Sequence, residues 1–141
     1  MNQAHWKLLE ATCRGLVSGS GTLTWSWDGR FGAALATFPA RDAASVEALL
    51  GSHFPLRIDA GNLRKAPDCV RNLAKSIGGV RSDQWLYSTD PALEVLVVGA
   101  WWPWGGGQTI SIRMFPVENG LPRGERDAFT TAFRSWFGLT P

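Results

Sequence analysis

The stretch that most constrains this chain runs from Leu93 to Phe115 and reads LEVLVVGAWWPWGGGQTISIRMF. Val95, Val97 and Val98 branch at Cβ, which suits a pleated strand and crowds a helix. Gly99 and the run Pro103–Gly107 argue against one continuous helix. The uncharged segment from Val95 to Ile112 is long enough to raise the question of a membrane span. Its proline, its glycines and the polar Gln108, Thr109 and Ser111 predict an antiparallel hairpin instead. With Pro103–Gly107 as the loop, Trp102 pairs with Gln108, Ala100 with Ile110, Val98 with Ile112 and Leu96 with Met114. That register collects apolar pairs on one face and predicts Trp102 buried, with Trp101 on the opposite face. The first strand is expected to be internal and covered on both sides. The second carries Thr109, Ser111 and Arg113 on a wetter face.

The remaining elements follow from periodicity. Trp6, Leu9, Cys13, Leu16 and Val17 recur at helical spacing from Gln3 to about Val17, before Ser18–Gly21 ends that helix. Thr22–Trp27 alternates, with Leu23, Trp25 and Trp27 on one side. Asp28-Gly29 predicts a two-residue turn into a strand from Arg30 to about Phe38, setting Trp27 beside Arg30 and Trp25 beside Gly32. Asp42 is a candidate N-cap for a helix through Leu50, with Gly51 as its stop. Leu56 and Ile58 mark a brief strand. Pro67 opens a helix bearing Val70, Leu73, Ala74 and Ile77, and Gly78-Gly79 end it. Gln84–Thr89 reads as a strand. Pro122 opens a last helix with Phe129, Phe133, Trp136 and Phe137 on one stripe. Without regular βαβ alternation, the expectation is one α+β domain over residues 1–141, with a mainly antiparallel sheet of about five strands and helices packed on it.

Composition narrows the function. The 14 basic and 12 acidic residues give a formal charge of +2, too balanced for an electrostatic DNA binder or for an acidic DNA mimic. No nucleic-acid or membrane partner is expected. His5, Lys7, Glu10 and Arg14 interrupt any signal-peptide core, and Cys13 and Cys69 form no CxxC or zinc pattern. A cytoplasmic protein with free thiols is therefore expected. No phosphate-binding, nucleophile-elbow or metalloprotease motif occurs. Gly105-Gly106-Gly107 follows a strand but precedes another, where a phosphate cradle needs a helix N-terminus. His5 and His53 read as ordinary histidines. Asp83, Asp90, Glu94, Glu118 and Asp127 could supply a carboxylate pair, but Asp90 suits a turn, Asp83 precedes a strand and Asp127 complements a helix start; only Glu94 is odd, inside an apolar strand. No catalytic residue, metal site or cofactor is expected.

Eight tryptophans stand beside seven phenylalanines and one tyrosine. Core filling explains Trp6, Trp25, Trp85, Trp102 and Trp136. Trp104, between Pro103 and the glycines, either folds back over its own loop or is presented to a partner. The segments TWSW (Thr24–Trp27) and WWPWGGG (Trp101–Gly107), in a motif-poor α+β layout, resemble the small immunity proteins of bacterial polymorphic-toxin and secretion-delivered effector systems. The resemblance implies a non-enzyme that neutralises a cognate toxin or effector by binding it, without a cofactor. The near-neutral charge departs from the acidic make-up that plugs basic nuclease sites, which leaves the toxin's class open. The candidate binding residues are Trp104, Gly105, Gly106, Gly107, Arg30 and Arg113. The rival readings are a small hydrolase using a carboxylate or cysteine and a carbohydrate-binding module with a tryptophan platform; the layout also admits a homodimer.

Overall fold

The computed structural model describes residues 3–19 and 21–139. In chain order the elements are α1 (Gln3–Gly19), β1 (Ser26–Asp28), β2 (Ala33–Pro39), α2 (Ala43–His53), β3 (Leu56–Ile58), α3 (Asp68–Ser76), β4 (Trp85–Ser88), β5 (Val95–Trp104), β6 (Thr109–Glu118) and α4 (Arg123–Trp136), with single 3₁₀ turns at Ala40–Asp42 and Leu63–Lys65. The strands form one six-stranded antiparallel sheet in the order β1-β2-β6-β5-β4-β3. This is the α+β class expected, with the brief strand at Leu56–Ile58 bringing the count to six. The hairpin β5–β6 is the sheet's centre, and both of its strands are internal.

The two faces of the sheet are covered unequally. On one, Val95, Val97 and Trp101 of β5 join Ile110, Ile112 and Met114 of β6 and Ala34, Ala36 and Phe38 of β2. Helices α1, α2 and α4 close this face with Leu9, Cys13 and Leu16, Val46 and Leu50, and Phe129, Phe133 and Trp136. On the other, Leu96, Val98, Ala100, Phe115 and Val117 meet one α-helix, α3, through Val70 and Ala74, with Leu63, Ala66, Ile77 and Val80 packed beside it. Close approach of α1 and α2 depends on glycine: a Cβ on Gly15 would stand 2.5 Å from Cε1 of His53.

Several local expectations are corrected. Ala100 pairs with Arg113, Trp101 with Ile112 and Trp102 with Ser111, so the strands run on to Trp104 and Thr109 and the turn is Gly105–Gln108. This odd-numbered shift reverses the two tryptophans: Trp101 is buried in the larger core, whereas Trp102 is half-buried on the second face. Asp28-Gly29 makes no two-residue turn. Trp27 pairs with Ala34 and Asp28 with Ala33, and the intervening loop closes through Gly32 N–H donating to the Asp28 carbonyl at 2.8 Å. The Asp28 side chain explains the wider loop, because its Oδ1 accepts the N–H groups of Arg30 and Phe31. The first strand is shorter than the alternation predicted, Ser26–Asp28 only. Asp42 occupies the N-cap position of α2 without a side-chain cap, and α2 runs past Gly51 to His53. Its stop is Pro55, which holds the preceding Phe54 extended at φ −115° and ψ 119°.

Candidate protein-binding face

The part of the second face that α3 leaves open lies towards the tip of the β5–β6 hairpin. Side chains alternate along a strand, so Trp102 and Trp104 of β5, Ser111 and Arg113 of β6 and Leu35 and Thr37 of β2 share it. Trp104 is 52% exposed, the most exposed aromatic residue among those described. It neither folds back over its glycines nor swings free: its indole N–H donates to Ser111 Oγ at 2.8 Å, and Ser111 Oγ lies 3.2 Å from Thr37 Oγ1. The ring is thus tied to the sheet by its polar edge.

At the tip, Gly105, Gly106 and Gly107 take φ of 63°, 70° and 84°. Three successive left-handed residues favour glycine strongly, because a Cβ would crowd the following carbonyl. Ala40 N–H donates to the Gln108 carbonyl at 2.9 Å and ties the tip to the end of β2.

The other end of the open face is organised by Asp28. Its Oδ2 accepts from Arg113 Nε at 2.9 Å while Oδ1 holds the loop N–H groups, so one carboxylate fixes both the β1–β2 loop and the β6 arginine. Burial would raise the Asp28 pKa, but the Arg113 hydrogen bond, the loop N–H groups and the Arg113 charge together hold it below the usual value. Phe31, at the loop's end, sits with the Arg30 and Arg113 guanidinium carbons 5.2 and 5.0 Å from its ring centre. Between Phe31 and Trp102 lies a cleft of about 240 Å³, floored by Ala100, Phe115 and Ile77 and rimmed by Arg30 and Arg113. A wider depression of about 410 Å³ continues past Trp102 to Leu35, Thr37, Ser111 and Trp104.

Of the residues the sequence nominates, Arg30, Arg113 and Trp104 come together along this face. The three glycines do not line it; Gly106 and Gly107 border a separate groove with Pro39, Ala40 and Arg41. Trp102, Phe31 and Leu35 were not nominated. For Trp102 the signal was present, since a strand that exposes residue 104 exposes residue 102 on the same side. Phe31 carried none, because its place depends on how Asp28 closes the loop.

Three of the acidic candidates, Glu94, Glu118 and Asp90, have structural partners. Glu94 Oε2 lies 2.7 Å from His5 Nδ1, linking α1 to the start of β5. Burial would raise the Glu94 pKa, but its own backbone N–H and His5 hold it low. Glu118 pairs with Arg126 at 3.3 Å and accepts the Leu121 N–H, and Asp90 accepts the Ala92 N–H. Burial pushes the Cys13 thiol far up and the Cys69 thiol up, and both are free. Among the described residues no group of three His, Cys, Asp or Glu side chains is placed to hold a metal ion, and no helix is long and apolar enough to cross a membrane. Comparison with protein-family models, curated proteins and solved structures finds no match.

Proposed function

We propose that this chain is a non-enzymatic protein-binding module that neutralises a cognate bacterial toxin or effector by docking it on the open sheet face, without a cofactor, in the cytoplasm. One observation carries the reading. A sheet that spends three helices on one face leaves the hairpin-tip end of the other without a helix over it, with Trp104 and Trp102 set side by side on one strand. Large rings held in place by the fold are what interface anchors require, since little side-chain freedom remains to be lost on binding. Both thiols are moved away from the thiolate form, which speaks against a cysteine nucleophile.

The test is affinity purification from the native host of the wild-type chain and of Trp104→Ala. The expected result is a stoichiometric protein that is toxic when expressed alone and is neutralised by co-expression of this chain. Its affinity should fall by about 2 kcal/mol or more in the variant, the usual scale of an interface anchor. A partner without toxicity would reject the immunity role. Undiminished affinity in Trp104→Ala would move the interface elsewhere, and binding of oligosaccharides in place of a protein would favour the tryptophan-platform alternative.

A further inference from the structure

The cleft between Phe31 and Trp102 narrows what the partner must present. Resting on the protein-binding reading, we infer that the partner offers an apolar side chain flanked by a carboxylate, the apolar group entering this cleft and the carboxylate meeting Arg30. The size of the cleft suits a side chain: about 240 Å³ lies below the ~300–1,000 Å³ of ordinary ligand pockets and admits one large side chain. The walls decide the polarity of that side chain. Phe31, Ile77, Ala100 and Phe115 offer no polar side-chain atom and Trp102 only its indole N–H, so the inserted group is mainly apolar and its polar atoms belong at the arginine rim.

Charge complementarity supplies the second half. Two guanidinium groups stand at the rim, and the one carboxylate nearby, Asp28, is already engaged by Arg113 at 2.9 Å. Arg30 is exposed and makes no ion pair among the described residues. The mouth of the cleft therefore keeps one uncompensated positive charge. Arg30 is also partly pre-positioned, by its backbone N–H on Asp28 Oδ1 at 3.1 Å and by its approach to the Phe31 ring. A cation beside the inserted group would meet repulsion, and a neutral acceptor would gain a hydrogen bond from the rim but no charge pairing.

The inference is tested on the full chain, labelled with ¹⁵N, by titration with three capped tetrapeptides, Gly-Phe-Asp-Gly, Gly-Phe-Asn-Gly and Gly-Phe-Lys-Gly. The Trp102 and Trp104 indole N–H signals are followed. The aspartate peptide should shift Trp102 and bind roughly threefold more tightly than the asparagine peptide, within the range of an exposed ion pair, with the lysine peptide weakest. In Arg30→Gln, whose unfolding midpoint serves as the folding control, the aspartate and asparagine peptides should bind alike. No shift at Trp102 with any peptide, equal affinity for aspartate and asparagine in the wild type, or a preference that survives Arg30→Gln overturns the inference. So does a dimer in sedimentation that Arg30→Gln dissolves, which would assign the face to a second copy of the chain. Peptides that fail while Trp104→Ala still abolishes partner capture overturn this inference alone; capture of no stoichiometric partner overturns the reading beneath it.

Discussion

Trp101 and Trp104 differ in position by one turn of the strand's alternation and a step, and that difference separates packing from presentation. Trp101 stacks on Trp85 at 5.0 Å and 12° and meets Phe38 edge-on at 5.6 Å, wholly inside the larger core. Trp101→Ala should therefore cost roughly 3–5 kcal/mol in urea unfolding, as large aromatic truncations do. Trp104→Ala gives up an exposed ring and one surface hydrogen bond and should cost no more than about 1.5 kcal/mol. A reversal of that order would show the exposed ring to be the structural one. Asp28 makes a second residue-scale prediction. Because its folded pKa is depressed below the unfolded value of about 3.9, its contribution is fully present above that value and is lost as pH falls through the folded one. Asp28→Asn should be less stable than wild type at pH 7, and the gap should be smaller at a pH below that unfolded value. An equal gap at both pH values in thermal unfolding would show that the charge on Asp28 does not matter.

Among the elements, α4 and the hairpin tip show opposite kinds of sequence constraint. Phe133 is fully buried between α4 and the sheet, 5.1 Å from the Phe137 ring, and Phe133→Ala should cost roughly 3–5 kcal/mol by chemical denaturation. At Gly106 an added Cβ would touch nothing within 4 Å, yet φ is 70°. Gly106→Ala should thus cost about 1–2 kcal/mol from backbone conformation alone, with the core signals of an NMR spectrum unmoved. The helices were legible because each buries one stripe at 3.6-residue spacing. The hairpin was legible too, but its register was not. Val95–Ala100 is buried on both sides, so its sequence shows no polar alternation to say which side is which. Asp28-Gly29 misled for a different reason: the aspartate serves the loop and Arg113 at once, a tertiary demand that a dipeptide preference cannot show.

For the whole molecule, the uneven covering of one sheet by three helices and by one is what creates the candidate site. It arises from topology, beyond the reach of a residue count. The sequence groups Trp104, Arg30 and Arg113 as candidates; the β5–β6 register sets Trp104 and Arg113 on one face, and the β1–β2 loop brings Arg30 to the cleft that Arg113 lines. Thiol chemistry reports on the same covering. Cys13 is buried on the inner side of α1 and Cys69 is half-buried on α3, so alkylation of the native, unreduced protein should reach Cys69 slowly and Cys13 only on unfolding. Intact mass in denaturant should then show both modified, and no added group there would mean a disulfide. The strand order carries a consequence for synthesis. The pairs β1–β2 and β3–β4 are made first, yet they flank the sheet and touch it only through β5–β6, which leaves the ribosome later. A nascent chain halted before Leu93 holds two outer flaps with no middle, and Trp25, Trp27 and Phe38 have no wall to pack on. Folding is expected to wait for the last third of the chain, with those rings exposed until then. A fragment of residues 1–92 should be unfolded by circular dichroism and should regain structure when residues 93–141 are supplied as a separate peptide.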